Sequence, residues 1–479
     1  MSTFHEQAMS FVYQQVLHRL TGFFSLHERI ALQLLIQRLL VAAGGIERIG
    51  QFRVMVVHEG GKESAYTLAF LRAAQLSIAA RAPVTFMLRL AVLRQPRLTA
   101  SVMARFHNQC NELFLYDDDR VELLQVDETG AHPVTRHTPF SECPPEAGKL
   151  DVLMWGHVSE GDARATFLYS DLLSRAPLFQ TAYRWGGAVN ALIDRRPPPH
   201  LGEYAHWMLK VAEQLGHCEA SSTDDVLPAA LDMCLKLEKA SRSILHPQSI
   251  PAETPALSAG SEWVVINVFD CLSCEVEVLN SEALNFTEGH INAAGVNIEE
   301  PQAAVILVEA HVQGLRHVYT EAGDYCSGVS SYLHALVREN ECNSRYKGQL
   351  VSVIAGAFNT PKRIQKLRQQ MADYLNDLYN VKDEQISCFI QSPFVEQGGQ
   401  LAAFVQRNYP DKLPWVPDLH DALQAHPQAC ARQAAWLETV SGLPLKSLQA
   451  LYTLSKIDLA EGTTLIDLMG SHDPARRSR

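Results

Sequence analysis

The sequence predicts an α/β protein, with a parallel-sheet domain first and a second α/β domain after it. Three observations carry this. Arg53 to Val57 (RVMVV) is an apolar, β-branched run of strand length that enters a turn at Gly60 and Gly61 and then a helical row, Tyr66, Leu68, Leu71 and Ala74. His246 to Gly260 (HPQSIPAETPALSAG) holds three prolines and few large apolar groups, the composition of a linker. Beyond it, strand-like and helix-like runs alternate, as in a second unit of the same class.

Residues 1–50 are helical in pattern. Phe11, Val12, Val16, Leu17 and Leu20 recur at helical steps, and Ile30 to Val41 is nearly continuous apolar sequence. Left bare, it would be a poor surface, so these helices are expected to pack on the first domain or on a partner protein. The first domain is expected to span residues 51–245. Glu112 to Tyr116 and Arg120 to Val126 read as a hairpin around Asp117 to Asp119, acidic turn formers rather than a metal site. Val152 to Trp155 reads as a strand, followed by a helix from about Ala163. Thr223 to Leu245 reads as the closing helix, with Val226, Ala230, Met233, Cys234, Leu237 and Ile244 inward. After the linker at 246–260, the region 261–479 offers strands at Trp263–Phe269, Cys274–Leu279, Ala304–Glu309, Leu350–Ala355 and Ile386–Gln391. Helices are expected at Ser327–Glu339 and Pro361–Tyr379, the latter with proline at its start and Ile364, Leu367, Met371, Leu375 and Leu378 in register. From Leu419 a helical tail ends in a polar, basic stub.

A chain of 479 residues with 47% apolar content has the makings of a globular protein of two or three domains. It has no apolar run of membrane-spanning length and no signal-peptide pattern, and its ten cysteines form no dense framework, so the expectation is a cytoplasmic protein with reduced thiols. A net charge of −12 argues against a broad nucleic-acid surface but leaves local patches open. Arg89, Arg94 and Arg97, the pair Arg195 and Arg196, and Lys362, Arg363, Lys366 and Arg368 are the candidates. Without interleaved aromatics, each reads as a solvated face.

A strand, a glycine turn and a helix start aim backbone N–H groups at one spot, which suits an anion, although glycines alone equally describe an ordinary turn. The segment EGGKES, Glu59 to Ser64, resembles the S-G-G-x-D-S signature of the PP-loop ATP pyrophosphatases, in particular the tRNA 2-thiolation branch of the 2-thiocytidine synthetase type. Arg38–Gly50, Arg81–Arg94, the segment from Val152 through Gly156 and His157, and Arg195–Gly216 resemble further pieces of that family in the same order. The resemblance covers roughly the first half of the chain. It implies an adenine nucleotide α-hydrolase-like parallel sheet, ATP and Mg2+ as cofactors, and tRNA as a partner. On that reading Glu59, Gly60, Gly61, Lys62, Glu63 and Ser64 form the phosphate loop, and His157 and Glu160 lie near an adenylation centre where an activated pyrimidine oxygen is displaced by sulfur.

The departures from the family point to a degenerate member. Glu59 replaces the first serine and sets a carboxylate beside a triphosphate; two like charges about 4 Å apart repel by roughly 1 kcal/mol in water and nearer 4 at a protein-like dielectric. The family's acidic pair becomes Glu160 and Gly161, with Asp162 shifted by one. Only Cys143 and Cys218 stand where the family has two C-x-x-C pairs, too few thiols for an iron–sulfur cluster, so the thiol would have to come from Cys218 or a partner. The expected function is therefore a PP-loop-like protein in or derived from ATP-dependent tRNA thiolation, non-catalytic or partner-dependent. One alternative is an adaptor that has lost ATP and docks a partner through its N-terminal helices. Another is a cysteine-dependent hydrolase or deamidase built on the C-x-x-C of Cys271 and Cys274 with His290, His311 or His317, an order that distantly resembles the chemoreceptor deamidases. Asp270 and Glu275 beside those thiols would raise their pKa values, which favours buried structural cysteines.

Overall fold

A computed structural model describes residues 2–96, 98–138, 145–194, 201–215, 226–245, 263–268, 270–271, 296, 298, 301–340, 345–424, 431–454, 458–460 and 463–473. The expected linker at 246–260 lies outside the described residues, as do Arg97, Cys143, Arg195, Arg196, Cys218, Cys274 and His290.

Two helices open the chain, α1 (Ser2–Phe23) and α2 (Leu26–Ala42). Ser25 caps α2 reciprocally with Glu28: the serine hydroxyl accepts from the Glu28 N–H and the carboxylate accepts from the Ser25 N–H. Glu28 is fully buried and its second oxygen accepts from the Tyr66 hydroxyl at 2.9 Å, which pins the helical pair to the domain behind it.

Strands β1 (Arg53–Val57), β2 (Met87–Leu93) and β3 (Val121–Asp127) follow with α3 (Lys62–Ala79) and α4 (Ala100–Glu112) as crossovers. After β4 (Gly130–Pro133) come α5 (Pro145–Val158), a π-helical turn at Arg164–Tyr169 and α6 (Ser170–Arg184). Then β5 (Ala191–Asp194), α7 (Leu201–Gln214), α8 (Val226–Leu245) and β6 (Val264–Asn267) complete the sheet. The order is β4-β3-β2-β1-β5-β6, all parallel except the β3–β4 hairpin. Parallel strands covered on both faces read as continuous apolar runs, and Val54 to Val56, Leu88 to Leu93 and Ala191 to Ile193 are accordingly buried.

The expected parallel sheet of the first half is present, but several elements differ from expectation. Glu112 to Tyr116 is the end of α4 and its turn; the hairpin runs from β3 to β4 across Glu128 and Thr129. Val152 to Trp155 belongs to α5, Ala304 to Glu309 to α9 (Pro301–Tyr319), Leu350 to Ala355 to the helix Arg345–Ala357, and Ile386 to Gln391 to α13 (Asp383–Gln391). Between α9 and α13 lie α10 (Tyr325–Asn340), α11 (Arg345–Ala357) and α12 (Pro361–Tyr379), the last with the predicted bounds and inward row. Helices buried against several neighbours are apolar on more than one side, so short runs lose the helical period and imitate core strands. The strand expected to open a second domain, β6, pairs with β5 at the edge of the first sheet. Beyond it, the described residues form helices and one two-stranded hairpin, Asp458–Ala460 with Thr463–Thr464, in place of a second parallel sheet.

The acidic turn holds more than a turn. Asp118 is buried and takes Nη1 of Arg72 at 2.7 Å and Nη2 of Arg120 at 2.7 Å, while Arg72 also donates to Gln75 and to the carbonyls of Leu113 and Phe114. Burial would raise the Asp118 pKa, but hydrogen bonds from Arg120 and the charges of Arg72 and Arg120 hold it down at about 2. Removing the carboxylate leaves a buried guanidinium unanswered. Asp118→Ala is expected to lower stability by about 3–5 kcal/mol in urea unfolding. The exposed neighbour variant Asp119→Ala is expected to stay within about 0.5 kcal/mol of the parent.

Candidate functional site

In this sheet the chain moves from β1 to β2 on one side, and β5 is laid against β1 on the other. Such a reversal leaves a crevice outside the carboxyl ends of the two central strands, where doubly wound proteins bind ligands. A cavity of about 180 Å³ lies there. Met55 and Val57 of β1 and Leu192 to Asp194 of β5 form its floor, α6, α7 and α8 form its walls, and Trp263 closes it beside β6. A much smaller cavity of about 20 Å³, at Arg164, Glu309 and Leu375, holds at most a water.

The loop from β1 to α3 stands beside this crevice. Gly60 has φ +83°, and a Cβ there would collide with the Val102 side chain, so glycine is required by backbone angle and by space. Gly61 is the extended N-cap of α3, whose first turn holds Lys62, Glu63 and Ser64.

The loop's polar groups face inward. The N–H of Glu59 donates to the Ser64 hydroxyl at 3.1 Å, and the N–H of Gly60 donates to Nδ1 of His58 at 3.1 Å. His58 is therefore a neutral ring with its proton on Nε2, donated to Gln109 Oε1 at 3.1 Å, and Gln109 in turn donates to the Ala65 carbonyl. The Glu59 carboxylate meets Nη2 of Arg175 at 2.5 Å, and Arg175 lies 3.5 Å from Asp171. The repulsion expected of Glu59 is thus answered by a cation from α6. Glu63 adds a carboxylate at the positive end of α3, the position an anionic ligand would take. Two loop amides, one serine hydroxyl and one guanidinium that could serve a phosphate are engaged within the chain. This arrangement does not fit the triphosphate of ATP or its Mg2+.

The other expected site residues lie elsewhere. His157, on α5, is fully buried between Phe389 and Phe394, with ring centroids at 6.4 and 5.0 Å, and neither of its nitrogens has a hydrogen-bond partner among the described residues. Burial pushes its pKa down to about 3. Glu160 sits in a left-handed turn with φ +52°, its carbonyl accepting from Arg316 at 2.6 Å. Neither residue lines the cavity; the structure sets His157 against Phe389 and Phe394 and the Glu160 carbonyl against Arg316. Cys271 packs in the sheet's core, where burial raises its thiol pKa. The histidines proposed for it are engaged elsewhere: His311 bonds Tyr325 and Asp383, and His317 bonds Glu321. Of the basic candidates, Arg89 is buried in the sheet and Arg368 pairs with Asp383, rather than forming solvated faces.

Asp171, Arg175, Asp194, Cys234 and Trp263 line the cavity and were not singled out as site residues from sequence. Asp194 carried one usable signal, a carboxylate at the end of a short apolar strand. Arg175 carried none, because its role depends on Glu59, 116 positions away. Among the described residues no group of three or more histidine, cysteine or acidic side chains is arranged to hold a metal, and no helix is long and apolar enough to cross a membrane. The chain matches no family model, no curated protein and no solved structure.

His157 gives a pH-dependent test of its surroundings. Its pKa is about 3 when folded and about 6.5 when unfolded, so above pH 6.5 burial carries no protonation-linked cost beyond that of the two unpaired ring nitrogens, and stability is lost as pH falls from 6.5 towards 3. His157→Leu is expected to be at least as stable as the parent at pH 7. Its advantage is expected to grow by about 1.4 kcal/mol per pH unit between about pH 6 and pH 3, measured by chemical unfolding at each pH.

Proposed function

We propose that this chain is a PP-loop-like protein derived from ATP-dependent tRNA thiolation that does not itself activate ATP. The observation that carries the reading is the closed state of the glycine loop, where Arg175 holds Glu59 at 2.5 Å and Ser64 and His58 take the neighbouring amides. The strand–glycine turn–helix at the switch point of a parallel sheet supports descent from a nucleotide-binding fold. The burial of His157 in an apolar interior supports the loss of adenylation chemistry. Any remaining part in tRNA modification depends on a partner.

A second reading, an adaptor that kept the fold and lost ATP, is favoured by the outer face of α2. Leu26, Ile30, Leu34 and Val41 are 75%, 54%, 51% and 78% exposed there, while the opposite face packs on the first domain. Both readings place the chain's role in binding rather than turnover.

Calorimetric titration with magnesium ATP tests the proposal. The wild type is expected to give no saturable heat at millimolar nucleotide. Glu59→Ser, which frees Arg175 and restores the family's serine, is expected to give measurable binding. Micromolar binding by the wild type with release of pyrophosphate would overturn the reading.

A further inference from the structure

The switch-point cavity is a separate space from the closed loop, since Glu59 to Ser64 are absent from its described lining. At about 180 Å³ it is a little larger than the ~150 Å³ engineered apolar cavity that takes up benzene. That is room for one ring or two fused rings, and too little for a nucleoside triphosphate. The walls of such a space lack packing partners on one side, so an apolar guest that fits gains their contacts.

The described lining is mostly apolar, with Met55 of β1, Leu192 of β5, Met208 of α7 and Leu231 of α8 beside the rings of Phe179 and Trp263. The two methionines bring unbranched thioethers, which adapt to a ring and contact it favourably through sulfur. Trp263 is fixed in place: its N–H donates to the Tyr183 hydroxyl at 2.6 Å, and its ring centroid lies 4.2 Å from that of Tyr183 and 6.4 Å from that of Phe179. With its one donor used, the indole offers a guest only carbon surface. Cys234, on the α8 wall, is kept as the neutral thiol by burial, which pushes its pKa up to about 12. The charged side chains of the described lining each have a partner in the chain, Arg175 with Glu59 and Asp171, and Asp194 with the Asn267 amide. The rings and aliphatic side chains that make up the larger part of the lining therefore select the guest.

We infer that this cavity binds a small neutral aromatic molecule of one ring or two fused rings, held by apolar contact among Met55, Met208, Phe179 and Trp263. The inference goes beyond the loss of ATP chemistry and does not require it, because the loop and the cavity lining share no described residue.

Calorimetry on the full chain with toluene, indole, benzylamine, benzoate and adenosine tests size and polarity together. Toluene and indole are each expected to give saturable heat below millimolar concentration. Benzylamine and benzoate, which add a charge of either sign to a ring of toluene's size, are expected to bind at least about tenfold more weakly than toluene, because each must give up the hydration of its charge. Adenosine, larger and more polar, is expected to give none. Ala230→Trp, which fills the space from α8, is expected to abolish binding of toluene and indole. Should that variant fail to fold, Ala230→Leu, which takes up less of the space, is expected to weaken indole binding about tenfold or more. Absence of heat with both toluene and indole, tighter binding of benzylamine, benzoate or adenosine than of toluene, or indole binding unchanged in the filled variants would each overturn the inference. Tight binding of magnesium ATP alongside normal indole binding would count against the lost-ATP reading and leave this one standing.

Discussion

A guanidinium with no exposed surface organises the sheet. Arg89 sits on β2, next to the central strand, and donates to Glu122 of β3 at 2.7 Å and to the carbonyls of Ala182, Tyr183 and Gly187 at 2.9–3.2 Å. Its carbon lies 5.5 Å from the centroid of the Trp185 ring. Burial lowers its pKa, but Glu122 and the carbonyls at the end of α6 favour the charged form. A buried charge persists only when it is answered in this way. The consequence is geometric: α6 is held by its last turn against the sheet, and α6 is the helix that presents Asp171 and Arg175 to the crevice.

That anchoring explains why a loop with the general form of a phosphate site behaves differently here. An anion-binding turn works when its amides point outward and a cation waits nearby. Here the strand and helix geometry is kept, but Glu59 draws in Arg175 while Ser64 and His58 draw in the amides. A single acidic side chain, with an arginine placed to meet it, closes this corner of the loop. The adjoining cavity is lined mostly by apolar side chains, with Asp171, Arg175 and Asp194 as the charged ones among the described residues.

The later helices are tied back to the first half by a second buried ionic group. Asp473, fully buried, accepts from Arg164 at 2.8 and 3.1 Å and from the Tyr169 hydroxyl at 2.8 Å, and Arg164 also reaches Glu309 at 3.2 Å. These residues come from the π-helical turn, α9 and the last described residue of the chain. With α5 packed between α12 and α13, they join both halves around one helical core. Gly156 of α5 marks how close that packing is: a Cβ there would come within 2.6 Å of the Phe389 ring.

Local patterns were enough to identify β1, Gly60 and Gly61, α3 and the whole of α12. In each, a turn residue or a proline bounds a clear run, and the physics is contained within about twenty residues. The same patterns misread α5, α9, α11 and α13 as holding strands, because burial on several sides removes the periodicity that separates helix from strand. The site divides along the same line. That a glycine turn leads from strand to helix is a property of adjacent residues, legible in EGGKES. That its amides are taken, that Glu59 is held by an arginine from α6, and that Asp194 and Trp263 close a cavity beyond it are consequences of packing. Such contacts join positions a hundred or more apart, and no periodicity or motif in the chain encodes which charge will meet which.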